Sequence, residues 1–217
     1  MSVSHGVPGT IVYRVGDGAY VNLTNRCPSA CTFCLRQTCD AVGRADNLWL
    51  TRDVTAGEAV QALDAFDDEG FTVADASEVV FCGFGEPTEN LSALLAAAAH
   101  VKERWHKRVR VNTNGQGSLV NSRDITPELA TCVDEVSVSL NHPDPARYQE
   151  LVRSSFGDEA FPALLEFVRR ARENGMEATL TTVATTITAE EEARCAELCA
   201  ELCAELGARH RIRPFVD

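Results

Sequence analysis

The stretch on which the fold turns is Glu78 to Phe84, EVVFCGF. Its apolar residues follow one another without a polar alternate, as expected of a strand covered on both faces. Strands of that kind belong to parallel sheets, whose connections are crossover helices. The flanking sequence supplies them. Upstream, Thr55 and Glu58 have capping-box spacing and open a helix from about Ala56 to Asp68. Downstream, Leu91–Trp105 is an Ala/Leu-rich helix and Arg110–Thr113 the next strand.

The alternation continues to the end of the chain. Thr126 as N-cap with Pro127 at N1 opens a short helix. Val136–Leu140 (VSVSL) is a strand, Glu159–Asn174 a helix ended by Gly175, and Ala178–Val183 (ATLTTV) a strand. Thr188 caps a helix over Ala189–Leu206 that stops at Gly207, and Arg211–Phe215 is the closing strand. Before all of these, Ile11–Arg14 and Tyr20–Leu23 flank VGDG, which reads as a hairpin. Regular strand–helix repetition predicts βαβ units. Six strands from Tyr20 onward are too few for a closed eight-stranded barrel. The expectation is an α/β fold, an open partial (β/α)6 barrel with an N-terminal hairpin extension. One domain would span residues 1–217, with 1–19 as extension and hairpin strand and 20–217 as the barrel.

The composition narrows the function classes. The net charge is −12 over 217 residues, and the lysines are Lys102 and Lys107 alone. Such a surface argues against general nucleic-acid binding and is compatible with a salt-adapted host. The dense basic run KERWHKRVR, Lys102–Arg110, reads as a solvated helix end entering a strand rather than a phosphate-binding patch. No apolar run reaches the length of a membrane span, and MSVSHGVPGT has neither the basic nor the apolar region of a secretory signal. A cytoplasmic protein without membrane partners is expected.

Nine cysteines in such a chain point to metal or redox chemistry rather than a disulfide scaffold. They fall into groups. Cys195, Cys199 and Cys203 of CAELCAELCAEL recur every four residues; on a helix the outer two stand about 12 Å apart along the axis. With Leu198, Leu202 and Leu206 they form an apolar stripe, a packing feature rather than a ligand set. Cys82 and Cys132 are expected in the core. The loop NRCPSACTFCLR, Asn25–Arg36, is different: Cys27, Cys31 and Cys34 are spaced C-x3-C-x2-C and lack a fourth partner within the motif. A structural zinc site needs four ligands, and Cys39 is available to close one. A [4Fe–4S] cubane held by only three thiolates keeps an open iron for a small molecule.

The run Cys27-Pro-Ser-Ala-Cys31-Thr-Phe33-Cys34 resembles the signature of radical S-adenosylmethionine (SAM) enzymes, with Phe33 as its aromatic position. In that family a [4Fe–4S] cluster on three cysteines binds SAM and cleaves it reductively to a 5′-deoxyadenosyl radical, which abstracts hydrogen from a substrate. Gly83-Phe84-Gly85-Glu86-Pro87 resembles the family's Gly-Gly-Glu element for the SAM amino group, with Phe84 where the first glycine is usual. Thr113-Asn114-Gly115 resembles a Thr-Asn-Gly run of several members. Ser139 and Asn141, after the fourth barrel strand, and Arg213, on the last, fall where the family contacts SAM. These elements occupy strand C-termini, the face on which barrels build active sites. YVNLTNRC together with FCGFGEPT is similar to the small TatD-associated branch.

The resemblance implies an oxidoreductase supplied by an electron donor such as flavodoxin or ferredoxin; no auxiliary cluster is expected, since no second cysteine-rich domain follows the barrel. The substrate is not legible, and a laterally open barrel would suit a peptide, protein or RNA. Two alternatives stand beside this reading: an activating enzyme of glycyl-radical type acting on a protein partner, and a non-catalytic iron–sulfur or zinc protein. His142 follows the fourth strand and is expected at the surface, outside the site.

Overall fold

The computed structural model describes residues 9–214, apart from the side chains of residues 202, 203, 205 and 206. The chain opens with β1 (Val12–Val15) and β2 (Gly18–Val21), antiparallel around Gly16-Asp17. Gly16 has φ +61°, as the first central residue of a II′ turn requires. Helix α1 (Ala56–Asp64) follows, with the Thr55–Glu58 capping box formed in both directions. It ends earlier than its sequence suggests, because Asp67–Asp68 (β3) and Phe71–Thr72 (β4) pair as a small separate hairpin.

The barrel strands come next: β5 (Glu78–Phe81), β6 (Arg108–Thr113), β7 (Glu135–Ser139), β8 (Glu177–Val183) and β9 (Arg209–Arg213). Between them lie α2 (Leu91–Trp105), the short α3 (Gly117–Val120) and α4 (Thr126–Leu129), α5 (Pro145–Val152), α6 (Ala160–Glu173) and α7 (Ala189–Leu206). The sheet order is β1-β2-β5-β6-β7-β8-β9, parallel from β2 onward. This is the open partial barrel expected. Among the described residues no helix is long and apolar enough to cross a membrane.

Strand alternation divides the two faces. Val79, Phe81, Val109, Val111, Val136, Val138, Ala178 and Leu180 pack outward into one core with Leu94, Ala97, Ala98, Leu164, Phe167 and Val168 of α2 and α6. Cys195 and Cys199 are fully buried there, as the stripe predicts; Cys203, Leu202 and Leu206 fall outside the described side chains. Cys132 also belongs to this core, but Cys82 does not: it stands on the opposite, interior face, hydrogen-bonded to Asn112.

The interior face is polar, and its floor is a ladder of ion pairs at the strand starts. Arg108 meets Glu135 at 2.9 Å and Glu177 at 3.0 Å, Arg110 meets Glu78 at 2.5 Å, and Arg209 pairs with Glu177. Burial opposes the Glu135 charge, but Arg108 and Thr179 override it and hold the carboxyl below its usual range. Two more cations of the basic run are also taken, Lys102 by Asp134 at 2.9 Å and Arg104 by Asp64 at 3.0 Å.

Several local expectations change. Thr126 is not a cap but the first residue of α4; its N–H and hydroxyl both donate to Asp124 Oδ1. Helix α5 was not anticipated, although Asp144 caps it by accepting from Arg147 N at 3.0 Å and Pro145 begins it. His142 is not at the surface: it is 2% exposed, accepts from Asp144 N through Nδ1, and places Nε2 3.1 Å from Glu191 Oε1.

Candidate active site

From Asn22 to Cys34 the chain has no helix or strand, so its shape comes from what it is tied to. The stem is held by side chains. Asn22 Nδ2 donates to Thr10 O and Leu48 O, Asn25 exchanges two hydrogen bonds with Leu50, and Arg26 pairs with Asp53 and Glu89. The cysteine segment is held by backbone. Ala30 N and Thr32 N donate to Val152 O and Leu151 O at the end of α5, and Ser155 N donates to Pro28 O. Beneath the segment lies fully buried Gln116. Its amide donates to Ser29 Oγ and Tyr148 Oη and accepts from Ser154 Oγ at 2.7 Å. The Gln116 network was not singled out by sequence, since it belongs to no motif, and Asn22, although within YVNLTNRC, was given no role there.

Cys27, Cys31 and Cys34 are free and partly exposed, and their charges act on one another. Burial is the main influence: it pushes the Cys27 thiol up to about 11, with Glu86 adding to the effect, and Cys31 up to about 12. Arg36 offsets only part of this. Cys39 points elsewhere; its thiol donates to Leu35 O at 3.4 Å and packs on the apolar group around Phe84 and Leu48. Among the described residues no three His, Cys, Asp or Glu side chains converge tightly enough for a single metal ion. Thiolates on one zinc lie about 2.3 Å from it, whereas those of a cubane sit on separate irons and stand farther apart.

The turn after β5 is pressed against the stem of this loop. A Cβ on Gly83 would lie 2.1 Å from Asn22 Oδ1, and one on Gly85 2.2 Å from Thr24 O and 2.6 Å from Arg26 O. Both glycines are therefore needed for turn and loop to touch. Phe84 sends its ring the other way, edge-on to Trp49 at 5.0 Å, so a bulky residue fits where glycine is usual. Glu86 N then donates to Arg26 O, and Pro87 starts a short 3-10 turn.

Glu86 is 3% exposed and fastens two barrel units together. Its Oε1 accepts from Thr88 N, Thr88 Oγ1 and Thr113 Oγ1 (3.2, 2.8 and 2.7 Å), and its Oε2 accepts from Asn114 N at 2.7 Å. Burial raises this carboxyl and the donated hydrogen bonds pull it back. A carboxylate has about four lone-pair sites, two on each oxygen, so Oε2 keeps one for a further donor. Asn114 extends the chain of contacts to the cysteines, its Nδ2 lying 3.9 Å from Cys27 Sγ. The rim also carries Asn141, buried at φ +59° with Oδ1 lacking a hydrogen-bond partner among the described residues, and Ser139, whose Oγ lies 3.5 Å from Arg213 Nη2. Of the residues the sequence singled out, Glu86, Thr113, Asn114 and Cys27 thus form one connected group. Ser139, Asn141 and Arg213 stand across the barrel on the later strands, and Phe33 lies within the cysteine segment.

Solved structures share the architecture. A radical SAM methyltransferase from Sphaerobacter thermophilus is similar with a TM-score of 0.61 at 18% identity, covering 94% of this chain and 68% of its own. The FeFe-hydrogenase maturase HydG from Carboxydothermus hydrogenoformans gives 0.64 at 18% identity, over 92% of this chain and 44% of its own. Streptococcus suis SuiB, bound to its precursor peptide SuiA, gives 0.61 at 16% identity, over 91% and 39%. This chain thus spans less than half of two of them. No curated protein matches it in sequence. The Radical SAM superfamily model matches residues 21–199, from the end of β2 through Cys199 in α7. With most of the sequence accounted for in this way, the chain belongs to the radical SAM superfamily of enzymes.

Proposed function

We propose that Cys27, Cys31 and Cys34 ligate a [4Fe–4S] cluster and that the rim around Glu86 holds SAM beside it. When bound, these cofactors supply the family's chemistry, reductive cleavage of SAM to a 5′-deoxyadenosyl radical that abstracts hydrogen from substrate. One observation carries the assignment: three thiols in no disulfide share a short loop clasped, through Asn114, to a buried carboxylate. The donor set suits the group. Desolvation favours the protonated thiols of Cys27 and Cys31 when they are free, and a cationic iron centre would reverse that preference.

The polar atoms of the rim suit SAM. Its ammonium and ribose hydroxyls are donors, and the unpartnered Oδ1 of Asn141 and the spare lone pair of Glu86 are acceptors. Gly83, Gly85 and Pro87 set the turn that brings Glu86 there, with Phe84 contributing through its backbone. Thr113 holds the carboxylate from below, Asn114 orients Cys27, Phe33 shapes the loop, and Ser139 adds a hydroxyl on the far side. The finer placement in the TatD-associated branch rests on YVNLTNRC and FCGFGEPT, and a small electron carrier of flavodoxin or ferredoxin type would deliver the reducing electron.

Anaerobic reconstitution with iron and sulfide, followed by SAM and dithionite, tests the assignment. Expected are four irons per chain and accumulation of 5′-deoxyadenosine, both lost in Cys27→Ala, Cys31→Ala and Cys34→Ala. A chain holding one zinc without acid-labile sulfide, or four irons without SAM cleavage, would contradict it.

A further inference from the structure

The charges inside the barrel are arranged in layers. On the floor, Glu78, Glu135 and Glu177 engage Arg108, Arg110 and Arg209. Above that layer the balance ends. Strand β9 sets Arg211 and Arg213 two residues apart, hence on one face. Arg211 Nη2 reaches Ser137 Oγ at 3.4 Å and Arg213 Nη2 reaches Ser139 Oγ at 3.5 Å, contacts beyond the usual hydrogen-bond length.

Among the described residues neither arginine forms an ion pair, whereas Arg209 on the same face does. Arg213 is partly buried, and its Nε is enclosed without an acceptor. Burial disfavours its cation, and the like charge of Arg211 adds to this. Among the described residues, the two guanidinium forks thus face hydroxyls instead of carboxylates.

We propose that Arg211 and Arg213 receive an anionic group of the substrate, a carboxylate or a phosphate, on the side of Ser137. The planar fork of arginine suits both oxyanions. The floorward end of this site, at Ser137, distinguishes it from that of SAM, and the inference rests on the reading of the rim given above. Arg213 is level with Val183 at the end of β8, but Arg211 is level with Thr181, one pleat closer to the floor. Arg211 reaches down to Ser137, which is level with Asn112 and one pleat nearer the floor than Asn114, where Glu86 is held, so an anion on both forks extends from the rim toward the floor. Arg213, assigned by sequence to the cofactor, becomes a substrate-binding residue.

The test uses the full chain, reconstituted anaerobically and saturated with SAM, with iron content and SAM binding measured on the same sample. Inorganic phosphate and malonate serve as separate probes at constant ionic strength, followed by calorimetric titration and thermal unfolding. Expected is a saturable response to one probe, weakened at least tenfold in Arg211→Gln and in Arg213→Gln. Arg211 is exposed, so its variant reports even if Arg213→Gln misfolds; Arg213→Lys, which keeps charge but not the fork, should fall between. Absence of any saturable response in a SAM-bound sample overturns the inference while leaving the cofactor assignment intact, as does an unchanged response in both variants. A response that SAM abolishes also overturns it, because the arginines would then hold the cofactor's own carboxylate. A sample with four irons that binds anion but not SAM overturns the rim assignment, and the substrate reading falls with it.

Discussion

Gly85→Ala tests how the turn meets the loop. The added methyl would stand 2.2 Å from the carbonyl oxygen of Thr24 and 2.6 Å from that of Arg26. Non-bonded atoms settle near 3.5 Å, so the stem of the cysteine loop must retreat by about 1 Å or more. Neither obstacle is a side chain that swings away; both are backbone, fixed by the Asn25–Leu50 and Arg26–Asp53 contacts. Overpacking of this kind costs about 1–3 kcal/mol, and rigid neighbours place it at the upper end. For a chain of this size that lowers Tm by about 6–12 °C. The same displacement moves Cys27 relative to Glu86 and Asn114. Gly57→Ala is the control: in α1 a Cβ there meets nothing within 4 Å, and the change should stabilise by about 0.5–1 kcal/mol. Thermal unfolding of both variants, with iron counted after reconstitution, decides the matter. If Gly85→Ala unfolds with the wild type and loads the same iron, the close contact between turn and loop is not what holds the site.

Three further outcomes follow from the packing. Cys39→Ser should leave iron content and SAM cleavage unchanged, since that thiol lies on the Phe84 cluster; a loss of iron would restore the four-cysteine site. Gln116→Ala strips partners from Ser29, Tyr148 and Ser154 under the cysteine segment and should cost about 2–3 kcal/mol by denaturant titration. The floor ladder makes stability acid-sensitive. Glu135 is held below its usual range in the folded chain, so the unfolded chain takes up the proton first. Its contribution is present above the unfolded value, about 4.3, and fades as pH falls through the lower folded value. Glu135→Gln should flatten the decline in Tm between about pH 5 and pH 3, and an unchanged slope would remove Glu135 from the account.

The barrel was legible because its strands and helices announce themselves locally. EVVFCGF, VSVSL and ATLTTV carry strand patterns, and the Thr55–Glu58 and Thr188–Glu191 boxes mark helix starts that the structure forms. Helix α5 escaped because it is only eight residues long, too short for its periodicity to stand out, although Asp144-Pro145 was a usable start signal. The cysteine loop was legible as a motif, but its support was not. Gln116 and Ser154 are 38 residues apart, Asn22 and Leu48 26 apart, and such partnerships leave no periodic trace. Gly83 and Gly85 were legible as part of a Gly-Gly-Glu-like element, but not what they lie against, Asn22 and the backbone of Thr24 and Arg26. His142 and Cys82 were misjudged for a related reason: a polar residue at a strand end faces either solvent or the barrel interior, and only topology decides which.

The irregular backbone of the cysteine segment has one more implication. Its conformation is borrowed from α1's leading loop, the β6 exit and the far end of α5, parts made at different times during synthesis. A short peptide bearing the three thiols would have none of these templates and would have to organise itself around the inorganic core unaided. Metal loading should therefore come late in the protein's assembly, once residues past Ser155 have emerged and docked.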